Sequence, residues 1–234
     1  MKKFWGYTAN DTFSVGCTGQ TIYLYDKEGH EIKQFRDLIY AYTPMISPDG
    51  KLLVVKSSDG RLAVFSLETL SLLWKFRFSK VDGAQDDGFC FSPDGKFFLN
   101  IERQQDSLHS AISIYDTTDF SRVGQVLFGD DKMINHVEYY KPTNKYYVLG
   151  FMRDEDKTFT NGFVAEFDDC QIKNVTVISK QDHKFYQSYK SLEMMGFTEK
   201  AYKWAYTDAN LEELKFVRHS LGELYLHYNQ TVMI

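Results

Sequence analysis

The string Ser-Pro-Asp-Gly-Lys occurs twice, at 47–51 and 92–96, each time between two apolar runs. Proline sets φ at the first central turn position, aspartate caps the turn through its side chain, and glycine accepts positive φ. Each copy therefore predicts a hairpin turn between antiparallel strands. Pro48 and Pro93 stand 45 residues apart. A third copy, "VEYYKPTNKYYVLGF", places Pro142 49 residues after Pro93. A fourth, "FWGYTANDTFSVGC", has Ala9 in the proline position, 39 residues before Pro48, and a weaker fifth, "LEMMGFTEKAYKWAY", has Phe197, 55 residues after Pro142.

The same events follow each anchor. An apolar run (FSVGCT, LLVVKS, FFLNIE, YYVLGF, AYKWAY) leads through a polar loop to a second run (IYLYD, LAVFS, ISIYD, VAEFD) and then to a more polar one (EIKQF, LSLLWKF, RVGQVLF, KNVTVI). With the run before the anchor, this makes four strands per unit. The third strands "LAVF" and "AISIY" are apolar at nearly every position, as expected when both faces are covered. The fourth, such as "EIKQF", alternate like half-solvated edges. Gly6, Ala41 and Gly88 put small residues on the first strands, where strands crowd an axis. Four-stranded units of ~40–45 residues repeated radially describe a β-propeller. The predicted fold is all-β, a five-bladed propeller of four-stranded antiparallel blades in one domain, 1–234, with blades near 1–38, 39–80, 81–132, 133–184 and 185–234.

The segment "ISPDGKLLVVKSSDGRLAVFSLETLSLLWKF" resembles a WD40-type repeat, as does "FSPDGKFFLNIERQQDSLHSAISIYDTTDFSRV". The resemblance covers 39–128 and, more loosely, 1–38 and 133–179. It departs from the family where Gly-His and Trp-Asp should stand. Tyr25-Asp26, Phe65-Ser66, Tyr115-Asp116, Phe167-Asp168 and Arg218-His219 take the Trp-Asp position. The hydrogen-bond network of those family residues is therefore missing, and the resemblance is to a divergent, WD40-like propeller. Five blades leave wide outer gaps, which the 16 Tyr, 19 Phe and 3 Trp are expected to fill.

Two readings compete for the C-terminal part. "RHSLGELYLHY" matches "YDKEGHEIKQF" in register and reads as the last strand of a fifth blade, with Gly222 in mid-pattern at a helix cost of about 1 kcal/mol. Against that, Leu211, Leu214, Val217, Leu221, Leu224 and Tyr228 form a helical stripe, with Asn210 and Glu213 as a capping box. The expectation taken forward is the blade. It has the ring opening between Trp5 and Trp204, because no strand from one end of the chain completes a sheet at the other.

Little in the chain points to chemistry. The net charge of −5 lacks the basic excess that a phosphate backbone needs, so nucleic acid is not an expected partner. No run approaches the ~18 apolar residues of a membrane span. Cys17, Cys90 and Cys170 lack metal-ligand spacing and read as reduced thiols of a cytoplasmic protein. The six histidines are scattered, and no nucleophile, phosphate-loop or zinc motif is present. No cofactor or metal is expected.

The visible polar feature is acidic. "VDGAQDDG", "FGDDKMINH" and "RDEDKTFTNG" fall in connections that a propeller gathers on one face. Asp82, Asp86, Asp87, Asp130 and Asp131, with Asp154 and Asp156, would form a rim suited to a basic partner. Arg103, Arg153, Tyr40, Tyr42, Tyr186 and Tyr189 supply hot-spot residue types on the same face, and the long segment 179–190 belongs there too. WD40-like propellers serve as rigid platforms, so the resemblance implies a non-catalytic module binding a protein partner on its loop-rich face, for instance a neutralising partner of a toxin. The alternative is a glycan-acting or carbohydrate-binding propeller. As a hydrolase it would use two facing carboxylates, such as Asp86 or Asp87 opposite Asp130, ~5–10 Å apart.

Overall fold

The computed structural model describes residues 4–78, 88–103, 110–129, 131–156, 158–168, 171–180, 183 and 220–231. Among them the chain forms sixteen strands and one long helix. The strands make four sheets, each a meander of four antiparallel strands in chain order. They are β1 (Gly6–Ala9), β2 (Phe13–Cys17), β3 (Ile22–Asp26) and β4 (Glu31–Phe35); β5 (Ala41–Ile46), β6 (Leu52–Ser57), β7 (Arg61–Ser66) and β8 (Ser71–Arg77); β9 (Phe89–Phe91), β10 (Phe97–Arg103), β11 (Ser110–Asp116) and β12 (Arg122–Leu127); β13 (Lys132–Tyr140), β14 (Lys145–Arg153), β15 (Phe159–Asp168) and β16 (Gln171–Ile178). Helix α1 spans Leu221–Thr231. The chain divides into two compact units: the first holds the sheets β1–β4 and β5–β8, the second holds β9–β12, β13–β16 and α1.

The Ser-Pro-Asp-Gly turns form as their residues dictate. Gly50 N–H donates to Ser47 O at 2.9 Å and Gly50 has φ 72°. The Ser47 hydroxyl donates to Asp49 Oδ1 at 2.6 Å and accepts from Leu52 N–H at 2.9 Å. Ser92, Asp94, Gly95 and Phe97 repeat these contacts at 2.7 and 2.9 Å, with φ 71° at Gly95. The serine hydroxyl and backbone N–H groups hold both aspartates below the usual carboxylate range. The third copy replaces glycine by Asn144, which takes φ 55° and accepts from Tyr139 OH at 2.7 Å. Asparagine tolerates this region because its short side chain bonds locally.

Strand alternation decides what each sheet faces. In the first unit Val15, Cys17, Ile22 and Leu24 pack with Leu53, Val55, Ala63 and Phe65, and the rings of Phe35 and Phe65 meet at 4.4 Å. In the second unit Leu99, Ile101 and Ile112 pack with Val148, Phe163 and Ala165. The intervening residues Tyr147, Leu149 and Val164 point the other way and meet Leu221, Leu224 and Tyr225 of α1. One sheet, β13–β16, is thus covered on both faces, by a sheet on one side and a helix on the other. The third strands β7 and β11 are buried almost throughout, whereas the fourth strands β4 and β8 keep much of their length exposed, as their compositions require.

The first strands crowd as their small residues predict. A Cβ on Gly6 in β1 would overlap the carbonyl oxygen of Tyr42 and lie 2.9 Å from Pro44 Cδ. Gly88, just before β9, stands in the same relation to the Asn135 carbonyl and His136 Cα of β13. Both contacted residues sit at β-bulges: the register slips between Ala41 and Thr43 in β5, and between Ile134 and His136 in β13. A bulge pushes one backbone carbonyl out of the ladder, and in each unit a glycine makes room for it.

The expected outer strand of a fifth blade is corrected: 221–231 is helical. Ser220 and Glu223 form a reciprocal cap, Ser220 N–H donating to Glu223 Oε2 at 2.9 Å and Glu223 N–H donating to Ser220 Oγ at 3.2 Å. Leu221 N–H finds Glu138 Oε1 at 3.2 Å. Gly222, counted against a helix, falls in its first turn, where any side chain would run into the ring of Tyr140. The glycine serves close packing, and the cap and the buried leucines outweigh its entropy cost. Residues 184–219, with the rest of the expected fifth unit and the Asn210–Glu213 cap, lie outside the described residues. Ser220→Ala should cost about 1 kcal/mol, read as faster amide exchange in α1 with the β9–β12 sheet unchanged.

Candidate functional site

In the first unit the connections at one end of the strands are tied into a single surface. Ala41 N–H donates to Gly19 O at 2.9 Å, linking the β4–β5 and β2–β3 connections. Ser58 N–H donates to Tyr40 O at 3.1 Å, linking β4–β5 to β6–β7. The Ser57 hydroxyl lies 2.7 Å from Ile39 O and 2.6 Å from Asp59 Oδ1, placed to donate to either. Lys75 Nζ donates to Asp37 O at 3.1 Å, and Arg61 pairs with Asp59 at 2.7 Å. Leu38 roots the loop in the core at 1% exposure, while the next two residues project, Ile39 at 50% and Tyr40 at 60%.

Tyr40 holds φ 54°. A bulky side chain rarely takes that conformation, and it persists only where the surroundings over-determine it. Here the Ser58 and Ala41 amides on either side do so. The result is an apolar knob whose shape does not depend on a partner. Tyr42, two residues on, is half-buried at the β5 bulge. Arg36 and Arg77, at the ends of β4 and β8, are exposed at the same end of the strands.

In the second unit the corresponding end brings Asp131 and Arg153 together. Arg153 N–H donates to Asp131 O at 2.8 Å, and the Asp131 carboxylate is paired with Lys132. Arg153 is 8% exposed, its guanidinium 5.5 Å from the centre of the Phe159 ring. That ring meets Phe151 at 4.7 Å, and Phe151 meets the imidazole of His183 at 3.6 Å. Asp154 is occupied in its own loop, accepting Thr158 N–H at 2.8 Å, and Asp156 is exposed. Arg103 closes β10, half-buried. Asp82, Asp86, Asp87, Asp130, Tyr186 and Tyr189 lie outside the described residues.

A buried polar group lies on the sheet β9–β12. Tyr115 OH donates to Glu102 Oε1 at 2.6 Å and Asn100 Nδ2 donates to the same oxygen at 3.2 Å. Burial and the neighbouring carboxylate push the Tyr115 phenol up, so it stays protonated and remains the donor. No group of three or more metal-ligating side chains occurs among the described residues, and no described helix is long and apolar enough to cross a membrane.

Reasoning from sequence singled out Tyr40 by residue type and missed Ile39. It also missed the ladder Arg153–Phe159–Phe151–His183. No local signal marks it, since its members come from two strands and a turn that the fold alone brings together.

No family model and no curated protein sequence matches the chain. Among solved structures it is similar to hydrazine synthase of Kuenenia stuttgartiensis, with TM-score 0.58 and 18% identity over 72% of this chain and 51% of that one. It is also similar to dihydro-heme d1 dehydrogenase NirN in complex with DHE, with TM-score 0.52 and 18% identity over 74% of this chain and 36% of that one. The chain spans about half the length of the first and about a third of the second. At this identity the likeness is one of fold, and the chain is an all-β protein of β-propeller type.

Proposed function

We propose that the chain is a WD40-like propeller module that acts without catalysis, as a cytoplasmic platform for a protein partner. The observation that carries this reading is the Ile39–Tyr40 knob. Tyrosine is enriched where binding energy concentrates, and a loop already held by hydrogen bonds on a sheet pays little ordering entropy when it binds. The basic-partner version of the reading belongs to the acidic connections around Asp82, Asp86, Asp87 and Asp130. The two similar structures are named as enzymes, and their activities are not carried over on a likeness of fold. The carboxylates named for the glycan-acting alternative, Asp86, Asp87 and Asp130, lie outside the described residues.

The test is capture of the partner from the source cells by tagged wild-type protein, followed by a purified binding assay. Ile39→Asp combined with Tyr40→Ala should weaken binding by about 30-fold or more, as loss of a hot spot of about 2 kcal/mol does. Both side chains are exposed, so the thermal midpoint should stay close to wild type. Undiminished binding by the folded double variant would remove the knob from the interface. Turnover of a glycan panel by the wild-type protein would replace the platform with an enzyme.

A further inference from the structure

After β16 the side chain of His183 is seated on the sheet. His183 N–H donates to Ser179 O at 2.9 Å, and its imidazole lies on Phe151 of β14 and Gly162 of β15. The ring is fully buried, 3.6 Å from the centre of Phe151 and tilted 39° to it. Beneath it is Gly162, and a Cβ there would overlap the imidazole. Neither ring nitrogen has a hydrogen-bond partner. A ring with two polar atoms thus occupies a seat built for an apolar one.

We infer that His183 is an acid-released pin, its ring seated against the β14–β15 hairpin while neutral and leaving that seat once protonated. An imidazolium must have both N–H groups satisfied, and the seat offers no acceptor. The described charged groups nearby make matters worse for a cation. From β14 comes the Arg153 guanidinium on the far side of Phe159, and from beyond β16 Lys180, whose Nζ donates to Phe159 O at 3.4 Å. From β15, Gly162 lies under the ring and Phe159 accepts the Lys180 ammonium through its carbonyl. Of the described carboxylates at this end of the sheet, Asp131 is paired with Lys132, Asp154 accepts Thr158 N–H, and Glu155 and Asp156 are exposed in the β14–β15 connection. Burial accordingly lowers the His183 pKa to about 4.

The sign follows from linkage. Released, the ring titrates near its ordinary value of about 6.5. Between that value and about 4 the released state binds a proton that the pinned state does not, so release grows as pH falls, by up to about tenfold per unit. Above pH 7 the pin is at full strength, and below about 4 no further loss occurs.

The readout is amide exchange at His183, corrected for the intrinsic pH dependence of exchange, with NMR titration of its ring in the full-length protein. From pH 7 to pH 5 the protection of the His183 amide should drop about 20-fold, and the ring should titrate below 5. His183→Phe fills the seat without a titrating group, and its protection at residue 183 should not change over that range. Gly162→Ala should evict the ring at neutral pH and return its midpoint to near 6.5. A wild-type midpoint near 6.5, unchanged protection between pH 7 and 5, or a His183→Phe protein with the same pH dependence overturns the inference. Should His183→Phe fail to fold, the wild-type midpoint decides alone.

Discussion

Gly6→Ala should unfold much of the first unit under conditions in which the wild type is folded, at a cost of at least about 3 kcal/mol. The added methyl meets the Tyr42 carbonyl, a backbone atom that cannot rotate aside as a side-chain tip would. Relief requires moving β1 away from β5 or flattening the bulge between Ala41 and Thr43. Overpacking of a close contact costs about 1–3 kcal/mol where side chains can yield, and more where they cannot. Against a total stability of about 5–15 kcal/mol, that is a large fraction. Gly88→Ala makes the same demand of the Asn135 carbonyl in the second unit. Gly124→Ala is the control: its nearest neighbour would be Ile114 Cδ1 at 3.5 Å, an ordinary contact, so its midpoint should shift by less than about 1 kcal/mol. Urea unfolding of the three variants checks this. Equal midpoints for Gly6→Ala and Gly124→Ala would mean that β1 and the β5 bulge do not lie as described.

Leu221→Ala carries the second large effect. Leu221 is fully buried among Tyr147, Leu149, Val164 and Ile178. Truncating such a leucine costs about 2–5 kcal/mol, depending on how far the site collapses. An 11-residue helix is marginal by itself in water, so α1 should melt as it undocks. Far-UV circular dichroism should lose helical signal ahead of the strand signal, at a lower denaturant concentration than in the wild type. A wild-type midpoint with helical signal intact would place Leu221 outside the core.

The sheets were legible because their determinants are local. Pro48, Asp49 and Gly50 act within one turn, and the buried runs of β7 and β11 show their two-sided covering in composition alone. The C-terminal helix was harder for a physical reason. "SLGELYLHY" carries Leu221, Leu224 and Tyr225 at helical spacing, yet Leu224, Leu226 and Tyr228 also alternate as a strand would. The deciding facts were the Ser220–Glu223 cap, present in the sequence but passed over for Asn210–Glu213, and the Tyr140 ring, far away in the chain, that explains Gly222. The knob escaped for a similar reason. Nothing in "DLIYAY" announces positive φ at Tyr40; it is imposed by amides of Ala41 and Ser58 that only the assembled loops supply.

The helix that covers the β13–β16 sheet has a consequence for synthesis. The strands of that sheet are complete by residue 178, but α1, which packs on Tyr147, Leu149 and Val164, begins at 221. On the ribosome, at ~5–20 residues per second, that sheet waits several seconds for the helix that packs on it. Slower translation across that interval should raise the aggregated fraction, and α1 supplied early in trans should lower it.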